Sequence, residues 1–357
     1  MAVPTSRDPA VTELQLARFL QASRPEMSNV SVSLLPSPRS TGFSSETLLF
    51  DATYTDPAGA VMVAPCVARI RPADYTLYQD HDLESQWRVI DALSRHTDVP
   101  VPRILAHDAI EGTWLGQQCF VMDRIDGAAA ADLPPYTVKG WLKDSSAAEQ
   151  RQVYVGGLEV LAGVHAADWR GLGLGFLQES TANPVGLQQQ LEHDERFLGW
   201  VTAGREFPEL QRASAWLRAN LPDDGELLLS WGDARLGNML FRDHRPVAVL
   251  DWEMVTLAAP GADLGWWLVF NLIHSVGIDR PSLPGIPTDD EAVGIYESVA
   301  GRTVTDLIFY EVRAALRAAL LLIRFSDAMV ENGSLPPEAA ARPYTPAVKT
   351  LTYLLAR

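Results

Sequence analysis

The stretch that decides the fold is "ELLLSWGDARLGNMLFRDHRPVAVLDWE", residues 226–253. Apolar runs flank a polar loop in which Asp233 and Asn238 stand five positions apart, and Asp251 closes the next apolar run. Short apolar runs bounded by turn residues predict strands, with the polar side chains at the strand ends. We therefore expect a small hairpin that gathers two carboxylates and one amide at the same edge.

The residue types in this loop suit metal-assisted proton chemistry. A hairpin pairing would bring Asp251 beside Asn238, and a carboxylate with an amide oxygen forms an all-oxygen site of the kind that Mg²⁺ prefers. The other carboxylate, Asp233, can then accept a proton from a hydroxyl. An Asp-x-x-x-x-Asn pattern alone occurs often by chance, so this interpretation requires that the rest of the chain fit it.

Composition and charge narrow the class of protein. The chain has 357 residues, of which 47% are hydrophobic and 21% charged, as in a globular protein, and its formal net charge is −16. Nucleic acids are bound by basic faces, so we expect no nucleic-acid partner. An acidic balance favours cationic small molecules, although net charge bears first on solubility.

The cysteines and the apolar segments predict a cytoplasmic protein. Cys66 and Cys119 lie inside apolar runs, and the N-terminus lacks the apolar core of a signal peptide, so we expect reduced, buried thiols. The longest apolar block near the C-terminus, "AALRAALLLIRF", is interrupted by Arg317 and is too short to span a bilayer. We expect no membrane segment.

The periodicity divides the chain after residue 124. Before it, helical spacing predicts helices over 9–22 and 82–96, and strand-like runs cover 30–36, 47–55, 61–71 and 118–125. After it, helical spacing covers 147–169, 186–201, 207–221, nearly all of 289–330, and 337–356, and the only strand signals are those of the opening stretch. The sequence therefore predicts an α+β protein with domains 1–124 and 125–357.

The motif "WGDARLGNMLF…VLDWE" resembles the catalytic and metal loops of the aminoglycoside phosphotransferase family, small-molecule kinases with the protein-kinase-like fold. Protein kinases have the same Asp-to-Asn interval in H-R-D-x-x-x-x-N, and the acid of D-F-G follows on the next hairpin. The resemblance extends over nearly the whole chain and is nearest to the branch fused to acyl-CoA dehydrogenases. It implies two lobes, a small antiparallel sheet followed by a mostly helical part.

The resemblance also implies an activity, namely the transfer of a phosphate from ATP, with Mg²⁺, to a substrate hydroxyl. It assigns Asp233 as the catalytic base, Asn238 and Asp251 as Mg²⁺ ligands, and Arg235 as a phosphate contact. One position departs from the family pattern of His-Gly-Asp, because Trp231 stands where the His would be. Since that His is chiefly a support, we expect activity to survive.

The expected nucleotide contacts lie in the first domain. The turn "STGFSSETLLF" (40–50) would cover the phosphates with the donors Gly42, Ser44, Ser45 and Thr47, although it also fits a simple polar hairpin. By resemblance, Arg69 takes the position of the phosphate-binding Lys, with Glu84 as its partner; solvated edge charge is the alternative for Arg69. The backbone from Met122 to Arg124 matches the hinge that pairs with adenine, as a strand whose edge is left free.

Several classes of acceptor are compatible with the sequence. Segment 187–200 carries Glu192, Asp194 and Glu195, which would suit a polycationic aminoglycoside, although solvated acids on a helix face are the commoner explanation. The family also includes kinases of macrolides, choline and homoserine. A rival interpretation is a nucleotide-binding protein without catalysis, suggested by Trp231 and Arg69. His165 and Asp263 are expected to be structural.

Overall fold

The computed structural model describes residues 7–36, 45–71, 82–108 and 112–357. It separates into two compact units, Met1–Thr97 with Val101–Asp126 and Asp98–Pro100 with Gly127–Arg357. The predicted boundary after residue 124 thus lies two residues before the change of unit at Asp126. Gly42 and Ser44 lie outside the described residues, so their expected role stays a prediction.

The first unit is built on one five-stranded antiparallel sheet. The strands are β1 Ser28–Leu34, β2 Glu46–Thr55, β3 Val61–Ile70, β4 Ile104–His107 and β5 Cys119–Asp123, in the order β1-β2-β3-β5-β4. Four of them follow the predicted strands within a few residues. Strand β4 was not predicted, because four residues are too few to display an alternating pattern.

Two helices accompany this sheet. Helix α1 covers Pro9–Ser23 and begins at the N-cap Asp8, whose side chain accepts a hydrogen bond from the Val11 N–H; helix α2 covers Leu83–His96 and is capped by Asp82. Leu16, Phe19 and Leu20 of α1 belong to the same buried core as the inward residues of β2 and β3. Cys66 and Cys119 are in that core as free thiols, as predicted, and burial raises the pKa of each to about 12.

The second unit is mostly helical. Its helices are α3 Trp141–Asp144, α4 Ala147–His165, α5 Leu187–Thr202, α6 Pro208–Ala219, α7 Gly261–Ile273, α8 Asp289–Ala300, α9 Leu307–Glu331 and α10 Thr345–Leu354. Nearly all of 289–330 is helical, as predicted, and it is divided into two helices because α8 ends at the left-handed Gly301 (φ 64°). Among the residues described, no helix is long and apolar enough to cross a membrane.

Four short strands interrupt the helices. Strand β6 Leu228–Ser230 pairs with β9 Thr256–Ala258, and β7 Met239–Arg242 pairs with β8 Arg245–Val249, both antiparallel. The predicted hairpin is therefore β7–β8, whereas β6 pairs with a strand that the sequence did not reveal. The polar loop 231–238 runs between the two small sheets.

Helix α7 lies deep in the second unit, and its two flanking contacts depend on glycine. A Cβ atom on Gly265 would lie 2.9 Å from Tyr310 of α9, and one on Gly157 of α4 would lie 2.2 Å from the Trp267 ring of α7. Separations under 3.0 Å require atoms to move, so these glycines permit the close approach of α4 and α9 to α7. Helix α7 is thereby fixed beside the polar loop.

Candidate active site

Three N–H donors converge on the carboxylate of Asp233. Its Oδ1 accepts hydrogen bonds from Arg235 Nε (2.8 Å) and from Trp266 Nε1 (2.8 Å), and its Oδ2 accepts one from Asn238 Nδ2 (2.6 Å). The residue is only 7% exposed. Burial raises the pKa of Asp233 above its ordinary value, while Arg235 opposes that shift and nearby Asp251 adds to it. The geometry is that of a fixed carboxylate with raised proton affinity.

Arg235 lies between two carboxylates. Besides its bond to Asp233, its Nη1 donates to Asp132 Oδ2, and its guanidinium lies 5.1 Å from the centre of the Phe270 ring. Although burial disfavours its charge, Asp132 and Asp233 hold the pKa of Arg235 above its ordinary value. Asp132 was not predicted from the sequence, because an acid 103 residues away in "AAAADLPPY" carries no local signal of this contact.

Asn238 and Asp251 are brought together by the β7–β8 pairing. Met239 pairs with Val249, and one residue beyond, the Leu250 N–H donates to the Asn238 carbonyl (2.9 Å). The side-chain amide of Asn238 donates to Asp233 Oδ2 and, at 3.1 Å, to the Asp233 carbonyl, so its NH₂ end is committed and its oxygen is the acceptor end. Asp251 has a left-handed backbone (φ 61°), which is uncommon for a residue with a side chain.

The pair fits a magnesium site of the kind that is completed by phosphate. Mg²⁺ is usually held by one or two carboxylates together with phosphate oxygens and water. Asp251 and Asn238 supply one carboxylate and one amide oxygen. Within the described part of the chain no group of three or more His, Cys, Asp or Glu side chains could hold a metal ion. Two protein ligands would leave the other coordination positions of such an ion to phosphate oxygens and water.

Trp231, the departure from the family pattern, ties the two loops together. Its indole Nε1 donates to the carbonyls of Leu250 (2.9 Å) and Asp251 (3.2 Å), and the side chain is fully buried. The indole thus supplies an N–H donor from the loop of Asp233 to the loop of Asp251. This is the supporting role that was expected of the histidine at this position.

Asp263, in the first turn of α7, anchors the loop that carries Asp233. Its Oδ1 accepts from the Ser230 hydroxyl (3.0 Å) and the Gly232 N–H (2.8 Å), and its Oδ2 accepts from the Trp231 N–H (2.8 Å). His165 Nε2 lies 2.9 Å from the same Oδ2, and its Nδ1 lies 2.6 Å from the Tyr296 hydroxyl. The interactions made by Asp263 and His165 are those of structural residues, as expected.

Several of the residues of the first unit that were predicted to contact the nucleotide lie on or beside β2, β3 and α2. Arg69 on β3 is half-buried and lies opposite Thr47 on β2. The hydroxyl oxygens of Ser45 and Thr47 are buried and have no hydrogen-bond partner within the described residues. Glu84 is exposed and pairs with Arg88 of its own helix (3.2 Å), so its expected pairing with Arg69 stays a prediction.

The free strand edge expected from Met122 to Arg124 was wrong. Strand β5 lies between β3 and β4, and Met122 is paired on both sides. The backbone N–H of Asp123 donates to the carbonyl of Arg103, and the backbone N–H of Arg124 donates to the carbonyl of Pro65, both at 3.0 Å. An interior strand has its backbone groups occupied, so an adenine contact at Met122 or Arg124 stays a prediction that needs other atoms.

The acids of α5 were expected to be solvated, and for Asp194 this was wrong. Asp194 is 1% exposed and accepts from Arg313 Nε (2.6 Å), while Arg317 Nη1 lies 3.2 Å away. Although burial opposes it, these two guanidiniums hold the pKa of Asp194 below its ordinary value. Glu195 pairs with Arg218 on α6. The sequence pattern did not indicate that two arginines of α9 would compensate the charge of Asp194, or that an arginine of α6 would pair with Glu195.

Comparison with known families and proteins adds independent evidence. The model of the phosphotransferase enzyme family (APH) matches residues 42–282. Acyl-CoA dehydrogenase family member 11 of Homo sapiens is 29% identical over 248 residues, which are 64% of this chain and 29% of that protein. Member 10 of Mus musculus is 28% identical over 269 residues, 70% of this chain and 23% of that protein. The chain thus matches less than a third of the length of these curated relatives.

Two solved structures share the fold. A provisionally assigned aminoglycoside phosphotransferase from Ralstonia eutropha JMP134 superposes with a TM-score of 0.69 at 22% identity, covering 98% of both chains. The aminoglycoside phosphotransferase APH(4)-Ia, solved with AMP-PNP and hygromycin B, superposes with a TM-score of 0.55 at 16% identity, covering 96% of this chain and 99% of that one. These likenesses confirm the predicted α+β, kinase-like fold.

Proposed function

Because this chain belongs to the phosphotransferase enzyme family, we propose that it transfers the γ-phosphoryl group of ATP to a hydroxyl of a small molecule, with Asp233 as the base. The observation that supports this most directly is the 2.6 Å contact between Asp233 and Asn238, next to the backbone bond from Leu250 to Asn238. Those contacts join a candidate base and two candidate metal ligands in one small loop cluster.

Asp233 takes the proton in the proposed reaction. The acceptor oxygen forms a bond to the γ-phosphorus, the bond from that phosphorus to the bridging oxygen breaks, and ADP leaves with the electron pair. The hydroxyl proton moves to the carboxylate of Asp233. Because burial raises the pKa of this carboxylate, it holds a proton better than an exposed aspartate would, which favours general-base catalysis.

Arg235 has the charge and position to serve both base and phosphate. Its bond to Asp233 favours the ionised carboxylate, and Asp132 holds the other end of its guanidinium. A guanidinium fixed in this way is suited to stabilise charge that develops on a transferring phosphoryl group. The assignment of Arg235 as a catalytic residue is thus part of the proposal.

Asn238 and Asp251 would hold Mg²⁺ through their side-chain oxygens. A bound Mg²⁺ would neutralise phosphate charge during transfer. The chain itself supplies the orientation of these ligands, since Asp233 binds the NH₂ end of Asn238 and Trp231 binds the carbonyls of the Asp251 loop. In the first unit, Ser45, Thr47 and Arg69 are proposed as nucleotide contacts, together with Glu84.

The acceptor side favours a second candidate beside an aminoglycoside. The aminoglycoside proposal depended on free acids along α5, and Asp194 is bound by two arginines while Glu195 pairs with Arg218. A polycation would have to displace these guanidiniums to use the acids. This favours an acceptor hydroxyl on a molecule that is not a polycation, and the substrate panel must include both kinds.

The experiment measures ADP formation with Mg²⁺ and ATP across aminoglycosides, macrolides, choline, homoserine and uncharged alcohols. We expect at least one acceptor to be phosphorylated, and Asp233→Asn to lower kcat about a hundredfold or more, as expected for loss of a general base. Asp243→Asn is the matched control, because Asp243 is an exposed aspartate in the β7–β8 turn, and kcat should stay within about twofold.

Two outcomes would refute the proposal. If Asp233→Asn turns over as fast as the wild type, Asp233 is not the base. If the nucleotide binds and no acceptor is phosphorylated by the wild type, the chain is a nucleotide-binding protein without this activity.

A further inference from the structure

We propose that Trp266 is a positioning residue for the base Asp233, and that it leaves Oδ2 as the oxygen that takes the proton. This inference rests on the proposed function. Its basis is the bond from Trp266 Nε1 to Asp233 Oδ1, at 2.8 Å and buried at both ends. Trp266 lies 33 residues after Asp233 in an apolar run of α7, a pattern that predicts only a core residue.

Of the three donors to Asp233, Trp266 is the one that has no second task. Arg235 also binds Asp132 and is proposed to contact phosphate, and Asn238 is proposed to hold a metal ion. Both would therefore contact a ligand as well as Asp233 in the proposed reaction. The indole of Trp266 is neutral, 3% exposed, and lies against Phe270 with ring centres 5.2 Å apart. It can therefore hold Asp233 throughout a reaction cycle.

Two side chains of helix α7, one turn apart, form hydrogen bonds to three consecutive loop residues. Residues three apart on a helix face the same side, and here they are Asp263 and Trp266. Asp263 binds the N–H groups of Trp231 and Gly232, both at 2.8 Å, and Trp266 binds the side chain of the next residue, Asp233. The backbone of the loop and the carboxylate of its base are thus positioned by one rigid element.

The bonds to Asp233 also distinguish its two oxygens. Oδ1 receives two donors, Arg235 Nε and Trp266 Nε1, whereas Oδ2 receives one side-chain donor, Asn238 Nδ2. A carboxylate oxygen offers about two lone-pair directions, so the two donors occupy those of Oδ1 and one remains on Oδ2. Without the indole, Oδ1 and Oδ2 would each keep one side-chain donor, so these bonds would no longer distinguish the two oxygens.

The chain contains a matched control for this inference. Trp267 is the next residue on α7 and is equally buried, but it faces Tyr154, with ring centres 5.3 Å apart. Its indole nitrogen has no hydrogen-bond partner in the described part of the chain. Trp267→Phe therefore removes the same volume from the same helix without removing a bond to the base.

The test compares Trp266→Phe with Trp267→Phe on two readouts. For turnover with the best acceptor of the panel, we expect Trp266→Phe to lower kcat by about tenfold to a hundredfold, as for loss of a hydrogen bond to a charged group, while KM for ATP stays within about twofold. Trp267→Phe should leave kcat within about threefold. A loss of packing alone would affect both variants alike.

The second readout does not depend on activity. In a ¹⁵N-labelled protein, the indole N–H resonance that is absent in Trp266→Phe should shift when Asp233 is changed to Asn, whereas the resonance absent in Trp267→Phe should not. If that shift is missing, or if kcat of Trp266→Phe equals that of the control, the inference is overturned and the proposed function stands. If the wild type phosphorylates no acceptor, the proposed function is overturned, and the inference that rests on it is overturned with it.

Discussion

Glu311 makes the stability of the second unit depend on pH. It lies on α9 and is 4% exposed. Burial raises its pKa to about 7, Asp289 and Asp290 at the start of α8 add to the shift, and Arg357, 3.8 Å away, opposes it. Because the ordinary value is 4.5, Glu311 ionises in the unfolded chain at a lower pH than in the folded one. The free energy of unfolding therefore falls progressively as the pH rises from 4.5 through 7.

The magnitude follows from the two pKa values. A rise of the pKa from 4.5 to about 7 corresponds to about 3 kcal/mol of unfolding free energy. The folded protein has this full contribution to its stability below pH 4.5 and has lost it above pH 7. Glu311→Gln keeps the shape and removes the ionisation, so at pH 8 we expect it to unfold with up to about 3 kcal/mol more free energy than the wild type. At pH 5 the difference should shrink to about 1 kcal/mol.

The assay is urea unfolding followed by circular dichroism between pH 5 and pH 8. Glu331→Gln is the control, since Glu331 is an exposed glutamate at the end of the same helix and should show no such trend. A difference between Glu311→Gln and the wild type that stays constant from pH 5 to pH 8 would refute the reasoning, because it would show that the ionisation of Glu311 is the same in both states.

Two further predictions concern packing and buried charge. Gly157→Ala should lower the unfolding free energy by about 1–3 kcal/mol, since its Cβ would lie 2.2 Å from the Trp267 ring. Gly163→Ala on the same helix has its nearest neighbour at 3.9 Å and should raise the unfolding free energy by up to about 1 kcal/mol. Thermal unfolding of the two variants tests this difference. Asp194→Asn should lower the unfolding free energy by about 3–5 kcal/mol, because it leaves two arginines without their carboxylate. Glu195→Gln, at the more exposed pair with Arg218, should lower it by less than about 1 kcal/mol. Equal unfolding midpoints of the two variants in urea would contradict this expectation.

The sequence was informative where the chemistry is local. The interval from Asp233 to Asn238 and the apolar run before Asp251 predicted the hairpin, because strand register follows from the turn and from the alternation of residues. Most helices were predicted for the same reason, since their apolar stripe repeats with the helical period. The boundary between α8 and α9 was harder to predict, because it depends on the left-handed Gly301 and the apolar pattern continues past it.

The sequence was silent where contacts join distant segments. Asp132, Trp266 and Arg313 each touch a residue of interest across 33 or more positions, and nothing in their neighbourhoods distinguishes them from an ordinary loop acid, core aromatic or surface arginine. The expected free edge at Met122 was wrong for a related reason. Strand β4, four residues long, is too short to be seen in the sequence, and it covers that edge.

Trp231 has a consequence for how the site responds to acid. An imidazole in its place would change charge near neutral pH and alter the number of hydrogens that it can donate. The indole N–H does not titrate, so its bonds to the carbonyls of Leu250 and Asp251 are the same in acid and in base. The hydrogen-bonded link between the loop of Asp233 and the loop of Asp251 is therefore one that a change of pH does not alter.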